Sequence, residues 1–205
     1  MPTDSRNSPV PGFTLVELLV VVAVAAVLLA FAAPQFGAAA RETRRTSAVN
    51  GLLGTLQLAR SEAIKRSTRV VVCAHAAGAG DCGDDWSEGW IAFVDDGDSP
   101  GALEAGETIL RSTAALAPGL TLTTLARLDG GSTTAPARLI RFGPRGTHHW
   151  RGGGTFRFCS AGSEGRASGL NVALGGGARR ARRDDSGNVL DAFGGTLDCP
   201  GGEAP

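Results

Sequence analysis

The chain has 205 residues, with 20 lysines and arginines against 20 aspartates and glutamates. A formal net charge of zero excludes a polyelectrolyte role for the chain as a whole, and the length suits one domain. The distribution says more: between Cys73 and Leu110 every charged residue is acidic, and between Arg138 and Arg183 every one except Glu164 is arginine, which predicts a polarised domain.

Residues 1–12 form a short polar leader, and residues 12–34 follow as one apolar run whose single charge is Glu17. Rising about 1.5 Å per residue, such a run is long enough for the roughly 30 Å hydrocarbon core of a bilayer. A lone carboxylate in it points to function, because an unpaired charge in lipid is costly. A secretory signal peptide, with Arg6 as its charged start and Ala30-Phe31-Ala32 as its cleavage site, competes for the stretch. So does a plain anchor with Glu17 reaching to the interface. Neither accounts for the order Gly12, Phe13, Thr14, Leu15, Glu17, Leu18, Leu19, Val20, which resembles the processing signal of type IV prepilins and type II secretion pseudopilins. The resemblance implies that prepilin peptidase cuts after Gly12 and N-methylates Phe13. Glu17 then sits one helical turn from the new amine and neutralises that of an adjacent subunit, setting filament register.

Pro34 closes the apolar run, and the pattern beyond it turns amphipathic. Val49, Leu52, Leu53, Leu56, Ala59 and Ala63 recur at spacings of three and four, which predicts a helix continuing to residue 66 with one face on a globular domain. Arg41, Arg44 and Arg45 on the outer side oppose the positive-inside rule. Gly51 and Gly54 weaken the helix locally or let it approach a sheet. Short β-prone runs follow at 70–74, 89–94, 108–112, 120–125, 138–142, 155–159 and 170–174, separated by Gly, Pro, Asp and Ser clusters.

The four cysteines follow an exporting segment, so disulfides are the default. Three pairings are open, with the local one, Cys73–Cys82 and Cys159–Cys199, preferred. A metal site from Cys73, His75 and Cys82 lacks a fourth ligand. Asp96, Asp98, Gly101, Glu104 and Glu107 stand at positions 1, 3, 6, 9 and 12 of a calcium-loop pattern, but Pro100 occupies position 5. A solvated acidic hairpin is the alternative. No enzyme motif stands out among His75, His148 and His149 or the glycine runs, and neither enzyme activity nor a cofactor is expected.

Val70-Val71-Val72-Cys73, Asp81-Cys82, Trp86, Gly89-Trp90-Ile91-Ala92-Phe93, Asp95-Asp96, Gly106-Glu107-Thr108-Ile109-Leu110-Arg111 and Arg141-Phe142-Gly143-Pro144 resemble the GspH/FimT family of minor pseudopilins. That resemblance implies an α+β fold. A long N-terminal helix, with a transmembrane half over 13–33 and an amphipathic half over 34–66, packs on an antiparallel two-sheet β domain over 67–205, after loss of the leader 1–12. The expected protein is a minor pseudopilin of the type II secretion pseudopilus. It is placed in the bacterial inner membrane as a single-pass protein with a periplasmic domain, and incorporated into a pilus or pseudopilus. Its implied partners are other pilins or pseudopilins, prepilin peptidase, the inner membrane, secreted cargo and DNA. DNA enters through Arg179, Arg180, Arg182 and Arg183 on the last hairpin, where DNA-binding members carry Gly-Arg-x-Arg. Here Arg179 replaces that glycine, so the alternative function is a minor type IV pilin for DNA uptake. A patch for the acidic face of another subunit, or an edge protected by its charges, explains the same arginines. A third reading is an exported ligand-binding module whose N-terminus only anchors it.

Overall fold

The computed structural model describes residues 13–75, 81–161 and 167–199. One helix, α1 (Leu15–Arg66), is followed by eight strands: β1 (Arg69–Ala74), β2 (Trp90–Asp95), β3 (Ile109–Thr113), β4 (Leu120–Ala126), β5 (Leu139–Phe142), β6 (Gly154–Ser160), β7 (Ser168–Val172) and β8 (Ala178–Arg180). The chain divides into two compact units, residues 1–42 and 43–205.

In the first unit the described side chains of α1 from Leu15 to Leu29 are exposed. The transmembrane half expected over 13–33 is corrected here. Among the described residues no helix is long and apolar enough to cross a membrane. A span needs about 20 consecutive apolar residues in one helix, and the described residues do not supply them. The fold class is therefore one long helix and an antiparallel two-sheet domain, with no membrane-spanning half among the described residues. The single-pass inner-membrane placement, which rested on that half, falls with it.

In the second unit two four-stranded antiparallel sheets form, ordered β3-β2-β1-β5 and β4-β6-β7-β8. Strand alternation sends Val70, Val72, Ala74, Trp90, Ala92, Ile140 and Phe142 of the first sheet and Leu122, Phe156, Phe158, Leu170 and Val172 of the second into one shared core. The α1 stripe Val49, Leu52, Leu56, Ala59 and Ala63 lies in that same core, each residue almost fully buried. The 3.6-residue period aligns these positions on one face, so burying the stripe stabilises helix and sheets together. Trp90 crosses this interface, and its indole N–H donates to Thr55 Oγ1 at 3.2 Å. The glycine at 154 is required by close approach: a Cβ there would lie 2.6 Å from the Trp150 ring.

α1 ends in a left-handed residue, Ser67, at φ 52°. The Thr68 N–H reaches Ala63 O at 3.2 Å and the Ser67 N–H reaches Ile64 O at 3.2 Å, the paired bonds of a Schellman cap. This stop puts Arg69 at the start of β1 without a linker. Arg60 fixes the last turns to the sheets, with Nε donating to Gly146 O at 3.0 Å and Nη2 to Gly175 O at 2.9 Å.

The outer faces carry two smaller clusters. Val71, Cys73, Cys82, Ile91 and Phe93 form one, under Leu103 and Leu139. Ala167, Val189, Leu197 and Cys199 form the other, where the segment after β8 folds back over the second sheet. Each cluster contains a disulfide, Cys73–Cys82 in the first and Cys159–Cys199 beside the second.

Candidate functional site

Four sequence features converge on the question of function: the N-terminal motif, the acidic segment, the basic hairpin and the cysteines. Gly12 lies outside the described residues, and Phe13 is exposed. The first helical turn is held by a reciprocal pair. Thr14 Oγ1 accepts from the Glu17 N–H at 3.2 Å, while Glu17 Oε2 accepts from the Thr14 N–H at 3.5 Å. This is the capping box of a Thr-x-x-Glu sequence, satisfying two donors that the start of a helix leaves open. Glu17 thus holds a partner within its own chain, at the end of the helix where the macrodipole favours an anion. The sequence reading gave Glu17 the positive N-terminus of its own helix or of a neighbouring subunit but did not name Thr14, although Thr14-Leu15-Val16-Glu17 carries the capping signal openly.

The acidic segment closes on itself. Glu104 Oε2 accepts from the Asp98 N–H at 2.9 Å, and Glu107 accepts from the Glu104 N–H at 2.9 Å and the Gly97 N–H at 3.2 Å. Asp81 Oδ1 accepts from the Cys82 N–H at 2.7 Å and the Leu103 N–H at 3.3 Å. Asp95, fully buried at the end of β2, pairs with Arg69 at 3.2 Å. The carboxylates of Glu104 and Glu107 are spent on backbone amides rather than converging on a cavity with Asp96 and Asp98. Among the described residues no group of three or more His, Cys, Asp or Glu is placed to hold a metal ion.

The basic hairpin is split between faces. Arg180 is the cross-strand partner of Leu170 and Arg179 that of Asn171, so the two point to opposite sides of the second sheet. Arg180 turns to the helix side, where Nη2 donates to Asn50 Oδ1 at 2.7 Å. Arg183 folds back onto Gly187 O at 2.7 Å. Arg182 is exposed and lies beyond the end of β8. Arg179 and Arg180 thus do not share one face, and the DNA-uptake expectation finds no support.

Arg179 instead borders a cleft of about 220 Å³ lined also by Gly152, Asn171, Val172, Ala173, Leu174 and Ala192. Across the sheet Thr155, Asn171 and Arg179 share one outward face. Thr155 Oγ1 donates to Asn171 Oδ1 at 2.9 Å and accepts from the Ala192 N–H at 2.7 Å, and Asn171 Nδ2 donates to Leu190 O at 3.1 Å. This buried network holds the C-terminal segment over the sheet. Nothing in the sequence flagged the cleft, because its walls come from β7, β8 and segments distant from them in the chain.

His148 and His149 belong to the connection between β5 and β6, while His75 lies just after β1. His149 Nδ1 accepts from the Arg141 N–H at 3.1 Å, so the neutral ring carries its proton on Nε2. Burial, followed by the charges of Arg141 and His148, pushes the His149 pKa down to about 4. Burial also lowers His148, whose Nε2 lies 2.8 Å from Ala173 O. Both rings pack against Trp150, a structural setting rather than an open acid–base site.

Two family models match the chain. One, described as type II transport protein GspH, matches residues 48–176. The other, the prokaryotic N-terminal methylation motif, matches residues 10–33. Similar solved structures include the type IV minor pilin FimU of Pseudomonas aeruginosa, at 21% identity over 69% of this chain and 90% of that one, with a TM-score of 0.47. Another is the minor pseudopilin EpsH from the Type 2 Secretion System of Vibrio cholerae, at 14% identity over 67% of this chain and 95% of that one, with a TM-score of 0.46. No curated protein matches by sequence.

Proposed function

Because this chain belongs to the GspH family of type II transport proteins and carries the N-terminal methylation motif, we propose that its capped, apolar first helix is the surface through which it joins a filament. The protein is a minor-pseudopilin-type structural and assembly subunit, not a catalyst, and it works with other pseudopilins or pilins and the secretion apparatus. In our reading prepilin peptidase removes residues 1–12 and methylates Phe13. Glu17 then exchanges its contact with the Thr14 N–H for the Phe13 amine of a neighbouring subunit. The domain beyond residue 67 is left outward to meet other minor subunits and secreted cargo.

The observation that carries the reading is the pairing of that motif with a helix whose described apolar side chains are uncovered. Phe13, Leu15, Val16, Leu18 and Leu19 are all more than half exposed. A contiguous apolar surface of this extent calls for a partner. The same segment on another subunit provides one, and an exposed carboxylate at its start provides register.

The test is Glu17→Gln and Glu17→Ala in cells, read by N-terminal mass spectrometry and by recovery of the subunit in sheared filaments. Processing and methylation at Phe13 are expected to persist while filament recovery falls. An unprocessed N-terminus in the unsubstituted protein, or normal filament recovery of both variants, would overturn the proposal.

A further inference from the structure

The start of α1 is fixed at one position, just past the bond that leader removal must break. Phe13 and Thr14 precede the helix, which begins at Leu15. Thr14 is its N-cap. The hydroxyl Oγ1 accepts from the Glu17 N–H at 3.2 Å, and the Thr14 C=O accepts the first intrahelical bond, from the Leu18 N–H at 3.2 Å. Phe13 therefore stands outside the hydrogen-bonded turns, with 85% of its surface exposed.

The position of this stop depends on the hydroxyl. Adding a residue to an existing helix gains a backbone hydrogen bond without a new nucleus, whereas fraying loses one, so an uncapped start tends to grow backwards. Gly12 is of a residue type tolerated as an N-cap. Without the Thr14 hydroxyl, a start at Gly12 competes, and it takes Phe13 into the first turn. The Thr14 cap is the better one because its side chain closes a donor that the helix leaves open.

Recognition of a chain through its backbone needs the bound residues extended, with their N–H and C=O groups free to pair. A helical turn withdraws those groups and gives the chain the wrong course. We infer that Thr14 is a positioning residue for leader removal: its hydroxyl cap holds Phe13 out of α1, so that the Gly12–Phe13 bond meets prepilin peptidase outside the helix. In that step water adds across the amide and the C–N bond breaks. Gly12 leaves on the leader as a carboxylate, and Phe13 keeps the nitrogen as the new amine. The inference rests on the processing proposed above, but not on the Glu17 carboxylate. The bond to Thr14 Oγ1 comes from the backbone N–H of residue 17, which every residue type except proline supplies.

The experiment uses the full chain and purified prepilin peptidase in detergent, with the appearance of the Phe13 N-terminus timed by mass spectrometry. Thr14→Ala is expected to slow cleavage about fivefold, the population shift that loss of one N-cap side chain gives. Thr14→Ser and Thr14→Asn, which keep a capping oxygen, should restore the rate. An unchanged rate in Thr14→Ala would overturn the inference while leaving the filament proposal intact. So would Thr14→Ser and Thr14→Asn as slow as Thr14→Ala, since the cap would then not be what the peptidase needs. No cleavage of the unsubstituted chain at Phe13 would overturn the inference and the proposed processing together.

Discussion

Removing the Cys159–Cys199 bridge should destabilise the second unit more than removing Cys73–Cys82, although both bridges are mostly buried. The first closes a separation of 40 residues and the second a separation of 9. Loop-closure entropy gives about 3.9 kcal/mol for the longer loop and about 2.6 kcal/mol for the shorter at 25 °C. The longer bridge also ties down the segment that carries Val189 and Leu197 onto the outer face of the second sheet. Releasing that segment exposes apolar surface as well as freeing chain, so the gap of about 1.3 kcal/mol from loop entropy is a lower figure. For a domain of this size it corresponds to a difference of about 3–5 °C in melting temperature between the two variants. The assay is urea unfolding of Cys159→Ala with Cys199→Ala beside Cys73→Ala with Cys82→Ala, under oxidising conditions, with midpoints and slopes fitted separately. Equal midpoints, or a larger loss for the Cys73 and Cys82 pair, would refute the reasoning that closure length sets the order.

Ser67 pays for its left-handed conformation in the Schellman cap, so Ser67→Gly should stabilise the protein by about 1 kcal/mol, measured by the same urea midpoint. His149 is held neutral in the fold, with its pKa near 4 against about 6.5 when unfolded. The unfolded chain therefore takes up the proton first as pH falls, and stability present above about pH 6.5 is lost progressively towards pH 4. The ring is half-buried, so solvent screening reduces the effect to about 1–2 kcal/mol. Thermal melts from pH 7.5 to 4 should show this fall flattened in His149→Gln, and an unchanged acid limb in that variant would refute it.

The sequence by itself determined the elements and the family resemblance. Short β-branched and apolar runs between Gly, Pro, Asp and Ser clusters marked the strands, because those clusters make the turns that end them. The spacing of Val49, Leu52, Leu56, Ala59 and Ala63 marked the buried face of α1 for the corresponding reason at 3.6 residues per turn. The Gly-Phe-Thr-Leu-x-Glu order, a local signal, was readable without any structure. The membrane span expected over 13–33 did not carry through, since among the described residues no helix is long and apolar enough to cross a membrane.

Only tertiary structure decided what each charge does. Asp96, Asp98, Glu104 and Glu107 have calcium-like spacing, yet spacing cannot reveal that backbone amides at 97, 98 and 104 take up Glu104 and Glu107. Alternation along an extended hairpin puts Arg180 and Arg182 on one face and Arg179 and Arg183 on the other, without saying what each face meets. The register of β7 with β8 sends Arg180 to Asn50 on the helix and Arg179 to the cleft on the other face. Hydrogen-bond partners from distant segments set these outcomes, and such contacts leave no local pattern in the chain.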